Sequence, residues 1–450
     1  DRALLTDRVL NAQGGDWGIC EISLFSGDRL MSQLREQDHL FTVLEKGANG
    51  NQPIVIGSVK ECLNATLDSL AAIIEKFCEP QVAIVSLTIT EKGYCIDPAT
   101  GSLDLSHPRI VHDLQTPAEP HSAPGIIVEA LHRRRERGLQ PFTVLSCDNI
   151  PDNGHVVKNA VLGMAEKRSS ELADWIQEHV SFPGTMVDRI VPAATEESLA
   201  EIARELGVAD PCAISCEPFI QWVIEDNFVC GRPQWETAGV QMVEDVLPWE
   251  QMKLRMLNGS HSFLAYLGYL AGFQHISDCM QDSAFREAAY RLMLNEQAPT
   301  LQITDVDLDQ YASGLLERFA NPALKHKTWQ IAMDGSQKLP QRMLEGIRVH
   351  LARHSEWPLL ALGVAGWMRY VSGVDDSGAA IDIRDPLSEK IGALVEQSTD
   401  SERVSALLSL HEIFATDLVQ NPQFVAAIQL AWQRIAQYGA HQAVIETLKS

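Results

Sequence analysis

The sequence predicts two domains of different class, a doubly wound α/β half followed by an all-helical half. Three observations carry that expectation. The chain has 450 residues, too many for one ordinary core, so two domains of roughly 200 residues each are the natural division. Short β-branched runs alternate with helical patterns through the first half, the order that builds a parallel sheet. After residue 245 helical periodicity dominates and strand-like alternation nearly disappears. The expected domains are 1–240 and 241–450, with the boundary near Gly239–Asp245, and no low-complexity segment or fixed-period repeat divides them.

In the first half the expected strands are WGICEISLF (Trp17–Phe25), VAIVSLTIT (Val82–Thr90) and PFTVLSCDN (Pro141–Asn149). Between the last two, PGIIVEALHRRRERG (Pro124–Gly138) has apolar residues at helical spacing, a proline at its start and a glycine at its end, so it is expected to be a helix. In such sheets ligands sit beyond the carboxyl ends of the strands. The residues to inspect are therefore Ser26, Gly27, Asp28, Thr90, Glu91, Asp148 and Asn149. In the second half NGSHSFLAYLGYLAGF, SAFREAAYRLML, SGLLERFA, QRMLEGIRVHLARH and FVAAIQLAWQRIAQYG all read as helices.

Charge and cysteine content narrow the function. With 60 acidic and 36 basic side chains the formal net charge is −24, which repels phosphate backbones and anionic membrane surfaces. Nucleic acid is not an expected partner. Nine cysteines, an odd number with no CxxC pair, argue against both a disulfide framework and a zinc site and point to a reducing cytoplasm. The apolar stretches break well before about 18 positions, so no membrane-spanning helix is expected, and no secretory leader opens the chain.

The stretch MKLRMLNGSHSFLAYLGYL (Met252–Leu270) is largely apolar yet carries Lys253, Asn258 and His261. At about 100° per residue on an α-helix all three fit one arc of about 140°, while Arg255 points elsewhere. A lysine among apolar neighbours loses solvation, which lowers its proton affinity and makes it a usable base near neutral pH. An amide can donate to an oxygen that becomes negative, and an imidazole can orient a hydroxyl or carbonyl. That set suits interconversion of an alcohol and a ketone. The spacing alone equally allows Lys253 to be a snorkelling surface residue, Asn258–Gly259 a helix stop and His261 a satisfied core histidine.

KLRMLNGSH matches the lysine, asparagine and histidine signature of the polyol-specific long-chain dehydrogenases, and nearly the whole chain resembles that mannitol dehydrogenase family. SLTITEKGYCID, TVLSCDNIPDNGHVVKNAVLG, FPGTMVDRIVPAAT, CEPFIQWVIEDNF and HKTWQIAMDGSQKLPQR resemble its fructuronate reductase (mannonate oxidoreductase) branch. The resemblance implies a Rossmann-like NAD-binding domain, a helical catalytic domain and no metal. It implies Lys253 as general base, Asn149 and Asn258 as an oxyanion hole, and His261 as a hydrogen-bonding partner of the same or a neighbouring oxygen, all in one cleft. The strand reading agrees on Asn149, although Asp148–Asn149 equally reads as a turn.

Further positions carry two readings each. Asp188 in MVDRI matches a family aspartate near the active site or bridges Arg189. Lys338 in DGSQKLPQR is a second cation for a substrate carboxylate or a solvated lysine near a helix end. Trp222 and Glu225–Asp226 line the pocket or pack a domain seam, while Cys147, Cys212 and Cys216 read as small buried side chains.

For NAD the expected contacts are Asp28, preferred over Glu21 for the adenosine ribose hydroxyls, with Thr90 and Glu91 beyond the next strand. Arg29 adjoins, but no arginine cluster stands ready for a 2′-phosphate. No G-x-G-x-x-G occurs near the start, whereas the family resemblance places such a turn just before ALLTDRVLNAQ. The expectation is that strand and turn precede Leu4 in the full protein; the alternative is a chain that lacks its phosphate cradle.

Three functions are therefore carried forward. The first is an NAD-dependent reductase of a keto-uronate to an aldonate, and the second is the same chemistry on another uronate or on a polyol such as mannitol. The third is a sugar-acid binding protein without catalysis, against which the lysine argues, since a binder needs no base.

Overall fold

The computed structural model describes residues 2–24, 26–47, 50–97, 100–304, 306–324 and 326–449. The chain forms two compact units, Asp1–Leu247 and Pro248–Ser450.

Among the described residues the first unit holds ten strands: β1 (Ile19–Ser23), β2 (Phe41–Gly47), β3 (Gly50–Ile56), β4 (Val59–Asn64), β5 (Ile84–Leu87), β6 (Thr143–Ser146), β7 (Thr185–Asp188), β8 (Ile214–Cys216), β9 (Gln221–Glu225) and β10 (Gln241–Val243). They assemble in four pieces. β1 pairs in parallel with β4, and β5 in parallel with β6, Ile84 facing Thr143 and Leu87 facing Ser146. β2 lies between β3, antiparallel, and β8, parallel; β9 lies between β10, parallel, and β7, antiparallel. The three expected strands are present as β1, β5 and β6, each shorter than the run that signals it, with Phe25 of the first run outside the described residues.

β6 is buried at all four residues, which is why it reads as a continuous TVLS run rather than an alternating one. Its face is covered by Ile127, Val128, Ala130 and Leu131 of the Ala123–Glu136 helix and by Val157, Ala160, Val161 and Met164 of the Asn153–Arg168 helix. The first of these helices begins as its sequence indicates: Ser122 Oγ accepts from the Gly125 amide and Pro124 stands in the first turn. It ends at Arg137, and Gly138 follows with φ of 67°, a left-handed value that glycine takes without strain.

The second unit is helical. The Pro358–Tyr370 helix buries eleven of its thirteen residues, so it is apolar all round and runs through the core. It packs against the Ser260–Leu270 helix and the long Pro422–Lys449 helix, which bends at Gly439. Among the described residues no helix is long and apolar enough to cross a membrane.

Candidate active site

Lys253, Asn258 and His261 lie on one continuous helical rod, formed by Leu247–Met252, a π-helical turn Lys253–Gly259, and the α-helix Ser260–Leu270. Asn258–Gly259 is therefore not a helix stop. The π turn also replaces the α-helical geometry expected for this stretch: bonds from i to i+5 widen the turn and bring residue i+5 over residue i. Lys253 and Asn258 are five apart, so the wide turn stacks them on one face, where an α-helix would separate them by about 140°. Lys253 is 7% exposed, Asn258 8% and His261 9%, which excludes a lysine snorkelling into solvent. The His261 ring stacks on Phe319, centroids 4.9 Å apart and planes at 17°, with His326 at 5.5 Å. Its Nε2 is buried without a hydrogen-bond partner. Burial, then the charges of His326, Arg342, Arg318 and Lys338, holds its proton affinity well below that of an ordinary histidine, so the ring is a neutral imidazole.

Two further π turns, Leu292–Gln297 and Pro340–Leu344, pack against the first. The second opens on Pro340, whose missing N–H and bulk a wide turn accommodates inside a helix that continues to Arg353. The turns meet at Gly259: a Cβ there would lie 2.3 Å from Gln297 Nε2 and 2.8 Å from the Arg342 carbonyl oxygen, so only glycine fits. Both polar atoms of the Gln297 amide are buried and unpartnered. Arg342 Nη1 donates to the Asn258 carbonyl at 3.4 Å and to Ser262 Oγ at 3.0 Å. Lys338 Nζ donates to the carbonyls of Ile331 (3.1 Å) and Met333, and burial lowers its pKa to about 8. Gln297 and Arg342 escape a reading of the sequence by spacing. The one signal for them is the NGS triplet, whose glycine marks a close approach.

In the first unit Asn149 is exposed just past β6. Its neighbour Asp148 is buried and ties two loops together: its carboxylate accepts from the amides of Ile89 (3.0 Å) and Thr90 (2.9 Å) and from the Tyr94 hydroxyl (2.6 Å). Thr90 takes φ of 63°, uncommon for a β-branched residue, and is held there by that bond. Thr90, Glu91 and Asn149 thus stand at the carboxyl ends of the paired parallel strands β5 and β6, all exposed. Asp28 opens the helix that follows β1, after Gly27 in a left-handed turn. It is exposed and forms no ion pair among the described residues. Asp188 ends β7 and is 4% exposed. Trp222 is instead a core residue of this unit, tilted against Trp235 at 5.0 Å. Glu225 receives the Gly184 amide, and Asp226 pairs with Arg232. Cys147, Cys212 and Cys216 are buried free thiols, and burial pushes Cys212 and Cys216 up to about 11.

Comparison with known proteins matches residues 2–237 to the mannitol dehydrogenase Rossmann domain and residues 245–436 to the mannitol dehydrogenase C-terminal domain. The two units are those of a dehydrogenase with a Rossmann domain and a helical domain. The chain is 81% identical over 448 residues to the uncharacterized oxidoreductase YeiQ of Escherichia coli K12, covering 100% of this chain and 92% of that protein. It is 57% identical to the D-mannonate oxidoreductase of the same strain, over 98% of this chain and 92% of the relative. Among solved structures, the Pseudomonas fluorescens mannitol 2-dehydrogenase, in ternary complex with NAD and D-mannitol, superposes with a TM-score of 0.85 at 41% identity, over 100% of this chain and 92% of the other. The chain belongs to the mannitol dehydrogenase family.

Proposed function

We propose that the enzyme interconverts a keto-uronate and an aldonate of the fructuronate and mannonate type, with NAD as cofactor and in the cytoplasm. The observation that carries the substrate class is the 57% identity, nearly end to end, with a D-mannonate oxidoreductase. A neutral polyol such as mannitol is the second reading, favoured by the 41% identity to the mannitol 2-dehydrogenase. NAD is supported by that enzyme's ternary complex and by the exposed acidic and hydroxyl side chains at the strand ends. Asp28 would hold the adenosine ribose, with Thr90 and Glu91 at the end of β5.

Bound NAD supplies the acceptor or donor of hydride. The chain's own residues manage the proton and the oxygen charge. In oxidation, neutral Lys253 takes the substrate hydroxyl proton on Nζ; in reduction its ammonium returns that proton. The side-chain amides of Asn258 and Asn149 donate to the oxygen as it gains negative charge. The neutral His261 ring offers the unpartnered Nε2 to the same or a neighbouring oxygen. Asp188 and Lys338 hold the rest of the substrate, Lys338 as a cation beside the carboxylate.

A panel of hexuronates, aldonates and polyols, assayed with NADH or NAD by the absorbance of the reduced cofactor, tests the reading. Turnover of keto-uronates at least about tenfold above neutral ketoses is expected, the scale of one charge-assisted contact. A preference for neutral ketoses would replace it with the polyol reading.

A further inference from the structure

We propose that Arg342 joins Lys338 in reading the substrate carboxylate and supplies the fork that grips it, making it a specificity determinant between sugar acids and neutral polyols; this rests on the sugar-acid reading above. The guanidinium lies against the turn that carries Lys253 and Asn258, since Nη1 reaches the Asn258 carbonyl and Ser262 Oγ. Both acceptors are neutral. Among the described residues no carboxylate pairs with Arg342, and its Nε is buried with no partner at all. Arg342 is half-buried with its Nε out of water, and a guanidinium partly withdrawn from water without a counter-charge is unfavourable unless a ligand completes it.

The surroundings of the imidazole add positive charge instead of cancelling it. Lys338, Arg318 and Arg342 all act on the His261 ring, and no carboxylate is among the principal groups acting on it. Lys338 directs its ammonium to the carbonyls of Ile331 and Met333, so part of its hydrogen-bonding capacity is already used. Arg342 retains open donors in a planar fork, the shape that matches two carboxylate oxygens. The Pro340–Leu344 turn fixes where that fork projects: the Arg342 carbonyl meets Gly259, next to Asn258, so the side chain starts beside the reacting oxygen's donor. The adjoining Gln297 amide, buried and unpartnered, offers a neutral donor and acceptor to the sugar hydroxyls.

Fructuronate and fructose share a keto-sugar chain and differ in whether it ends in a carboxylate or a hydroxymethyl group, so the pair isolates the contact. The experiment compares kcat/KM for both, from initial slopes with NADH, in the wild type, R342Q and R342K. The ratio of fructuronate to fructose should fall about 10²-fold in R342Q, mainly through KM, the scale of losing a charge-assisted pair. R342K, which keeps the charge without the fork, should fall about tenfold. Melting and NADH titration confirm that each variant folds, and if R342Q does not, R342K decides. An unchanged ratio in a folded variant overturns the assignment while leaving the sugar-acid reading intact. A wild type that reduces fructose but not fructuronate overturns that reading itself, and the assignment with it.

Discussion

His261 stacks flat on Phe319 while its Nε2 faces no partner, an imidazole held by its ring face and left open at its edge. The depressed proton affinity has a stability consequence. The unfolded histidine protonates near about pH 6.5, whereas the folded one stays neutral well below that. As pH falls through about 6.5 the unfolded state binds the extra proton, so stability is lost toward acid. Melting curves from about pH 7.5 to about 5, which bracket that value, should show a steeper acid decline for the wild type than for H261N. Parallel curves would mean the folded ring titrates normally.

Lys253→Ala should lower kcat at least about 10²-fold, the scale of general acid–base catalysis, with partial recovery on adding small primary amines. Unimpaired turnover would remove the lysine from the chemistry. N258A should cost roughly 10²-fold as well, with little change in melting temperature.

Gly259→Ala should disturb fold and catalysis together. Its methyl group would enter the space of Gln297 Nε2 and the Arg342 carbonyl, and overpacking of this kind costs about 1–3 kcal/mol. A lower melting temperature and reduced kcat/KM are expected. An alanine variant with unchanged melting and kinetics would show that the turns separate easily.

Partial burial lowers the Lys338 pKa to about 8. Between there and its ordinary pKa near about 10.4 the unfolded state holds a proton that the folded state has shed, so this group makes stability rise with pH across that window. The upward component should vanish in K338M. In the same range KM for an acid substrate should rise as the ammonium is lost, while KM for a neutral ketose does not.

The legible parts of the fold are those where burial and pattern coincide. β6 is buried on both faces and β5 buries Val85 and Leu87 on one, and Ala123–Glu136 carries its cap, its proline and its terminal glycine in the sequence. The β2–β3 hairpin leaves no such signal, because β3, GNQPIVI, is largely exposed and holds Pro53, which argues against a central strand. In the site, Lys253, Asn258 and His261 stand out as polar residues in an apolar run. The π winding that stacks the first two does not: a wide turn leaves no periodic trace in so short a segment, and arithmetic at about 100° per residue assigns the wrong angle. Arg342 is hidden because a charged residue beside Lys338 reads as solvated until its missing counter-ion is seen in three dimensions.

The wide turn at Lys253–Gly259 also sets the rotational phase of the Ser260–Leu270 helix. Winding the same seven residues as an ordinary α-helix would rotate every position from Ser260 to Leu270 about the rod axis. Ten of those eleven residues are buried, so the helix could not turn without driving the core apart. The wide winding that sets the lysine and the asparagine on one face is thus locked by the hydrophobic interior behind it.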